Sequence, residues 1–182
     1  MKKRYYKVIG SKKLRAIQNE ARQFLARNSE LVEGAVSYTI LDYESTRQQI
    51  PSLWLEDWPF EIVRPAMFVM HDHEDGRPHR DQTLEEFRLN IPVLNCEGTW
   101  TAFWELREGC RDNITAESVG NEPSYLGPYR YGDLRLADRV ELVDATLIRP
   151  REIHSIMANQ RALPRISLTL EIQPWPEDLF YS

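Results

Sequence analysis

His79-Arg80-Asp81, followed far along the chain by His154 and then by Arg165-Ile166-Ser167, is the set of residues best suited to metal chemistry. Two imidazoles and one carboxylate can occupy one face of an Fe(II) ion and leave the opposite positions open. An arginine on a strand can take both oxygens of a carboxylate through its planar fork, and Ser167 can add a hydroxyl donor beside it. Together they suit a metal whose open positions are filled by a small dicarboxylate. The H-x-D pattern alone is weak, because with 28 acidic residues in 182 and 4 histidines an accidental H-x-D or H-x-E has about an even chance. A second such pattern, His73-Glu74-Asp75, overlaps His71-Asp72-His73. Asp75-Gly76 is a turn signal, so His71 and His73 are expected in an exposed hairpin connection rather than at a metal.

Strands must position these residues. Arg88-Leu89-Asn90-Ile91-Pro92-Val93 alternates, so Arg88 and Asn90 share a face that can look into a pocket. Thr146 to Pro150 closes one strand, residues 151–153 make a short connection, and His154-Ser155-Ile156-Met157 opens the next, which places His154 at a strand start. Arg165 begins the final strand, with Ser167 and Thr169 on its own face and Ile166, Leu168 and Leu170 on the other. At the N-terminus, Tyr5 to Ile9 reads as a strand stopped by Gly10. Ser11 stands as an N-cap, and Leu14, Ile17, Ala21, Phe24 and Leu25 recur at helical spacing to about Asn28. Further β-rich runs cover 36–41, 67–70, 87–94, 99–106, 140–148 and 165–172.

One N-terminal helix followed by many short strands predicts a mainly β protein, a sandwich or jelly roll. The length of 182 residues suits a single domain over 1–182, with 1–64 supplying the helix and supporting strands and 65–175 the core. The weakly patterned insertion 109–138, with Tyr125, Tyr129 and Tyr131, is the candidate lid. Trp100 and Trp104 fall on one face of a strand as packing residues, and Trp54, Trp58 and Trp175 take the same role.

A net charge of -5 and a pI near 5.5 give no basic field for nucleic acid, and Lys2-Lys3-Arg4 is too short for a binding arm. A small-molecule or peptide substrate fits better. Cys96 and Cys110 form no C-x-x-C pattern, and no run suits a membrane span or a secretory leader, so the expected location is cytoplasmic with reduced thiols.

The combination Pro78-His79-Arg80-Asp81, Arg88-Leu89-Asn90-Ile91-Pro92-Val93, His154-Ser155-Ile156 and Arg165-Ile166-Ser167-Leu168 resembles the aspartyl/asparaginyl β-hydroxylase-like branch of the Fe(II)/2-oxoglutarate oxygenases. That branch includes bacterial hydroxylases of free proline, and the resemblance covers about residues 65–175. Leu94-Asn95-Cys96-Glu97-Gly98-Thr99 is also similar to small oxygenases of bacteria and their phages. The resemblance implies a double-stranded β-helix (jelly roll, cupin-like). It implies His79, Asp81 and His154 as iron ligands, and Arg165 with Ser167 at the far carboxylate of 2-oxoglutarate. Arg88 and Asn90 would lie near the keto-acid end, Asn90 standing where relatives commonly have histidine. Fe(II), 2-oxoglutarate and O2 would serve hydroxylation of an aliphatic carbon of an amino acid or a peptide or protein side chain, releasing succinate and CO2. A cupin-type metalloenzyme without a keto acid is an alternative. It typically needs three histidines and a glutamate, and no second histidine lies near His154. A non-catalytic jelly-roll binding module is the other alternative, and it would need no convergence of the three ligands.

Overall fold

Opposite faces of one central sheet carry opposite chemistry, and this division positions the site. The structure is a computed structural model that describes residues 4–33, 38–71, 76–112, 116–117, 125–158 and 163–181. Its elements run β1 (Tyr6–Val8), α1 (Leu14–Arg27), α2 (Glu30–Glu33), β2 (Tyr38–Ile40), α3 (Tyr43–Gln49), α4 (Pro51–Trp54), β3 (Glu61–Met70), β4 (Arg80–Asp81), β5 (Arg88–Leu94) and β6 (Thr99–Leu106). They continue with β7 (Ala116–Glu117), β8 (Tyr125–Leu126), β9 (Leu134–Glu141), β10 (Thr146–Ile148), β11 (His154–Ala158), β12 (Arg165–Gln173) and α5 (Glu177–Tyr181). The described strand pairings are antiparallel. A six-stranded sheet has the order β1-β10-β5-β12-β3-β2, and two three-stranded sheets have the orders β11-β6-β9 and β4-β8-β7.

On the outer face of the six-stranded sheet, Leu89, Ile91, Val93, Leu147, Ile166, Leu168, Leu170 and Ile172 join Ile17, Ala21, Phe24 and Leu25 of α1 in the main apolar core. Burial of each large aliphatic side chain there stabilises the fold by about 1.5–3 kcal/mol. The inner face is different. Register pairs Thr146 with Asn90, Asn90 with Thr169, and Arg88 with Glu171, so these residues share that face with Ser167 and Arg165. The smaller sheet β11-β6-β9 faces it: Phe103 of β6 packs with Tyr5 and Ile148, and Arg165 donates from Nε to Thr99 Oγ1 at 3.0 Å. A polar lining between two sheets is what a ligand cavity needs and what a packing core avoids.

The helix begins later than its first residues suggest. Lys13 is the N-cap and makes no side-chain capping bond, while Ser11 binds Glu56, and the Lys13 amide donates to both Glu56 Oε2 (2.9 Å) and Ser11 Oγ (3.2 Å). The predicted run 140–148 divides into β9 and β10, with Leu142 and Ala145 buried between them. The helices α3 and α4 were not anticipated. Asp42 caps α3 by accepting from the Ser45 amide at 2.8 Å, and Pro51 sits at the start of α4, where its missing N–H costs nothing. Among the described residues no helix is long and apolar enough to cross a membrane.

Candidate metal centre

His79 and His154 are direct cross-strand partners. Each backbone N–H donates to the other's carbonyl at 2.9 Å, an isolated antiparallel bridge that brings the rings to 4.4 Å between centroids. Each ring is fixed by its own local contact: His79 Nδ1 lies 2.7 Å from the Arg77 carbonyl, and His154 Nδ1 2.9 Å from the Glu152 carbonyl. A carbonyl only accepts, so Nδ1 carries the hydrogen in both neutral rings and Nε2 keeps its lone pair; a proton added at His79 Nε2 is donated to Asp81 Oδ1. Both Nε2 atoms face Asp81 Oδ1, at 3.3 Å from His79 and 4.0 Å from His154. Ligands about 2.0–2.2 Å from a metal stand roughly 3 Å apart, so these separations need little closing. Among the described residues this is the one group of three metal-capable side chains within reach of one another. His71 is not part of it, and His73 and Asp75 lie outside the described residues.

Asp81 has its second oxygen held. Arg88 Nη1 donates to Oδ2 at 2.7 Å, leaving Oδ1 to the histidines. Despite burial, the Arg88 charge and the His79 hydrogen bond hold the Asp81 carboxyl well below the usual carboxylate range. Burial opposes charging both imidazoles. At His79 the hydrogen bond and charge of Asp81 outweigh it and raise the pKa, whereas burial and the neighbouring His79 push His154 down to about 4. Arg88 also reaches Glu85, with Nη2 at 3.1 Å, so two protein carboxylates already answer the guanidinium expected near a keto acid. Neither Glu85 nor Tyr38 stands out in the sequence. Tyr38 lies under Arg88, whose guanidinium sits 5.8 Å from the ring centroid, and its buried hydroxyl has no hydrogen-bond partner among the described residues.

Arg165 is 1% exposed, and no carboxylate pairs with it among the described residues. Its Nε is taken by Thr99, its Nη2 has no partner among the described residues, and burial lowers its pKa. Ser167 and Thr169 are buried on the same face, and Asn90 beside Thr169 has a buried Oδ1 that meets no donor among the described residues. The register links the two ends of this lining: His154 pairs with Phe103 and Ala158 with Thr99. Arg165 is thus anchored four residues along β6 from the metal ligand, about 13 Å of backbone at strand rise. The donor set fits a divalent first-row metal, and the buried unpaired cation fits one end of a dicarboxylate reaching from it.

The described part of the insertion is fastened to the segment that carries His79 and Asp81. Asp81 pairs with Tyr125 and Arg80 with Leu126, and the Tyr129 amide donates to the Pro78 carbonyl at 2.8 Å. Asp112 accepts from Arg80 Nη1 at 2.6 Å and from the Tyr129 hydroxyl at 2.8 Å, and Arg80 lies over the Tyr129 ring. Tyr131 instead packs on Trp104 and is half exposed. The rest of the expected lid, 113–115 and 118–124, lies outside the described residues, as does the Tyr125 side chain. Trp104 packs as expected, against Tyr129, Leu134 and Ile153.

Fold and site together define a mainly antiparallel β protein of three sheets, with two histidines and one carboxylate converging where β4 meets the start of β11. AviO1 from Streptomyces viridochromogenes Tue57 has the same fold, with a TM-score of 0.51 and 12% identity over 96% of this chain and 92% of that one. The epimerase SnoN, solved in complex with Fe3+, alpha ketoglutarate and nogalamycin RO, superposes with a TM-score of 0.46 and 18% identity over 93% of this chain and 78% of that one. No family model and no curated protein matches the sequence.

Proposed function

We propose that this chain is an Fe(II)- and 2-oxoglutarate-dependent dioxygenase with a double-stranded β-helix core, of the aspartyl/asparaginyl β-hydroxylase-like branch. Its reaction is hydroxylation of an aliphatic carbon of an amino acid or of a peptide or protein side chain. One observation carries the reading: His79, Asp81 and His154 converge as a donor set, and Arg165, tied to Thr99 four residues along β6 from the pairing partner of His154, is a buried guanidinium that no carboxylate meets among the described residues. A structural arginine at that depth would be paired, because an unanswered buried charge costs several kcal/mol. A dicarboxylate anchored on the metal at one end would answer it.

Iron with 2-oxoglutarate and O2 supplies the oxidation of a C–H bond, with succinate and CO2 as by-products. The chain's own residues bind and orient. His79 and His154 present Nε2 with their tautomers already set, and Asp81 presents Oδ1 because Arg88 retains Oδ2. Arg165, with Ser167, takes the far carboxylate of the keto acid. Thr169 and Asn90 would line the floor between the two ends, and Phe103 on the facing sheet, packed with Ile148, would exclude water from one side.

The test is to add 2-oxoglutarate to the anaerobic Fe(II) protein and look for the weak visible chelate band. A screen of the twenty amino acids and short peptides for succinate release would then identify the substrate. Absence of the band at saturating 2-oxoglutarate would remove this reading in favour of a metalloenzyme that uses no keto acid.

A further inference from the structure

The turn between β5 and β6, Leu94-Asn95-Cys96-Glu97-Gly98-Thr99, has no part in the metal centre, yet most of its polar groups are committed to the start of β12. Asn95 Nδ2 donates to the Pro164 carbonyl at 2.9 Å, and the Cys96 thiol to the Ile166 carbonyl at 3.0 Å. These bonds grip the residues on both sides of Arg165. Asn95 and Gly98 adopt positive φ, 52° and 72°, and the Gly98 amide is tied to Glu141 at 2.6 Å. The turn closes on Thr99, which is fully buried, and here the hydrogen-bond directions matter. The Thr99 hydroxyl donates to the Cys96 carbonyl at 2.6 Å, which commits its single hydrogen. Its oxygen is left as an acceptor, and Arg165 Nε donates to it at 3.0 Å.

We infer that Thr99 is the positioning residue for Arg165, and that the 94–99 turn clamps the guanidinium so that its Nη edge, not its Nε side, is offered to an anion. The inference rests on the proposed use of a dicarboxylate co-substrate for its purpose, though the clamp itself is independent of it. A guanidinium offers its donors in pairs, along the Nε/Nη2 side or across the Nη1/Nη2 end. Thr99 occupies Nε, and Nη2 is the atom left buried without a partner among the described residues. The incoming carboxylate therefore meets the end of the fork. Without Thr99 the guanidinium would be free to turn its Nε side to the ligand, and the pre-set geometry that spares ordering cost on binding would be lost.

Thr99→Val keeps the shape of the side chain and removes the hydroxyl, and Thr99→Ser restores it. Two readouts are taken. In the first, the Arg165 Nε–H is followed by NMR, assigned by its absence in Arg165→Lys. Its exchange with solvent should be slow in the unmodified protein and in Thr99→Ser, and about tenfold or more faster in Thr99→Val. In the second, the Zn(II)-loaded protein is titrated with 2-oxoglutarate. Thr99→Val should bind about tenfold or more weakly, Thr99→Ser within a few-fold of the parent, and Zn(II) affinity should be unchanged in both. Thr99→Ala replaces Thr99→Val if the valine variant does not fold. Unchanged Nε–H exchange overturns the clamp, and so does unchanged 2-oxoglutarate binding beside a parent that binds it. If the unmodified Zn(II) protein binds no 2-oxoglutarate, the proposed function fails, and the exchange measurement still decides the clamp.

Discussion

Arg88 and Asp81 share a 2.7 Å charge-assisted hydrogen bond that divides the carboxylate, Oδ2 to the arginine and Oδ1 to the two imidazoles. Arg88 is 6% exposed at its side chain and is also paired with Glu85, so its charge is largely answered before any metal arrives. Its main effect on a bound cation is therefore through orientation of Asp81 rather than through repulsion. Arg88→Met should lower metal affinity about 10- to 100-fold, the usual cost of losing an outer-shell partner. Calorimetric titration with Zn(II) checks it, and equal or tighter binding in the variant would show that repulsion dominates.

Proton competition at the centre falls on one residue. In the metal-free protein Asp81 is ionised well below the usual range, and His154 is neutral down to about 4, but His79 is raised above its ordinary value by Asp81. Below the raised value His79 holds a proton that a metal must displace. Above it no displacement is needed. Zn(II) binding at about pH 6, below the unperturbed histidine value of about 6.5, should release close to one proton, and the number released should fall as pH rises through the His79 titration. Affinity should rise with pH through the His79 titration and then level off. Calorimetry in buffers of different ionisation enthalpy measures the proton count, and release of two protons at pH 6 would mean that His154 is charged as well.

Long alternating strands were legible in the sequence because their pattern is local. Ile166, Leu168 and Leu170 fall on one face and Arg165, Ser167 and Thr169 on the other by periodicity alone, and the structure places the first set in the helix-covered core. The metal-capable trio was legible through residue type and spacing. How it assembles was not: β4 is two residues long, and the trio closes through one backbone bridge between His79 and His154 that leaves no local pattern. The partners of Arg88 were hidden for a related reason. An arginine on an inner face reads equally well as a ligand for a keto acid or as a clamp on a carboxylate, and only the tertiary approach of Asp81 and Glu85 shows what it meets here. Thr99 and Tyr38 are ordinary strand residues by type, and only the groups that face them set them apart. The helices α3 and α4 are short and end at Ile50 and Leu55, and tertiary contacts of Ile50 and Leu53 with the core hold them more than propensity does.

Arg165 should trade stability for function. As a buried cation without a carboxylate partner among the described residues it is costly to the folded protein, so Arg165→Met, which keeps the stem and removes the charge, should stabilise the fold by about 1–4 kcal/mol. The same change should abolish measurable 2-oxoglutarate binding to the Zn(II) form, and Arg165→Lys should recover only part of it for want of the planar fork. Thermal unfolding and ligand titration of the same preparations give both numbers. A destabilised Arg165→Met that still binds 2-oxoglutarate normally would make the arginine structural.

Gly127 lies against His79, the first residue of the candidate metal centre. A Cβ placed there would stand 3.0 Å from His79 Cβ, 3.1 Å from the Pro78 carbonyl oxygen and 3.2 Å from His79 Cα, closer than ordinary contacts, so the 78–79 segment would have to move by a few tenths of an ångström. That segment cannot move freely. Its carbonyls and amides are bound to His154 on one side and to Tyr129 on the other. The displacement would then be expressed at the His79 ring, and ligand constellations tolerate shifts of only about 0.5 Å. Gly127→Ala should weaken Zn(II) binding by about tenfold while costing the fold about 1–3 kcal/mol, the usual range for overpacking. Gly132→Ala is the control, because a Cβ there meets nothing within 4 Å. Titration and thermal unfolding of the two variants side by side give the answer. If Gly127→Ala binds metal as Gly132→Ala does, the glycine serves only the local turn, and the segment after β8 does not help to seat His79.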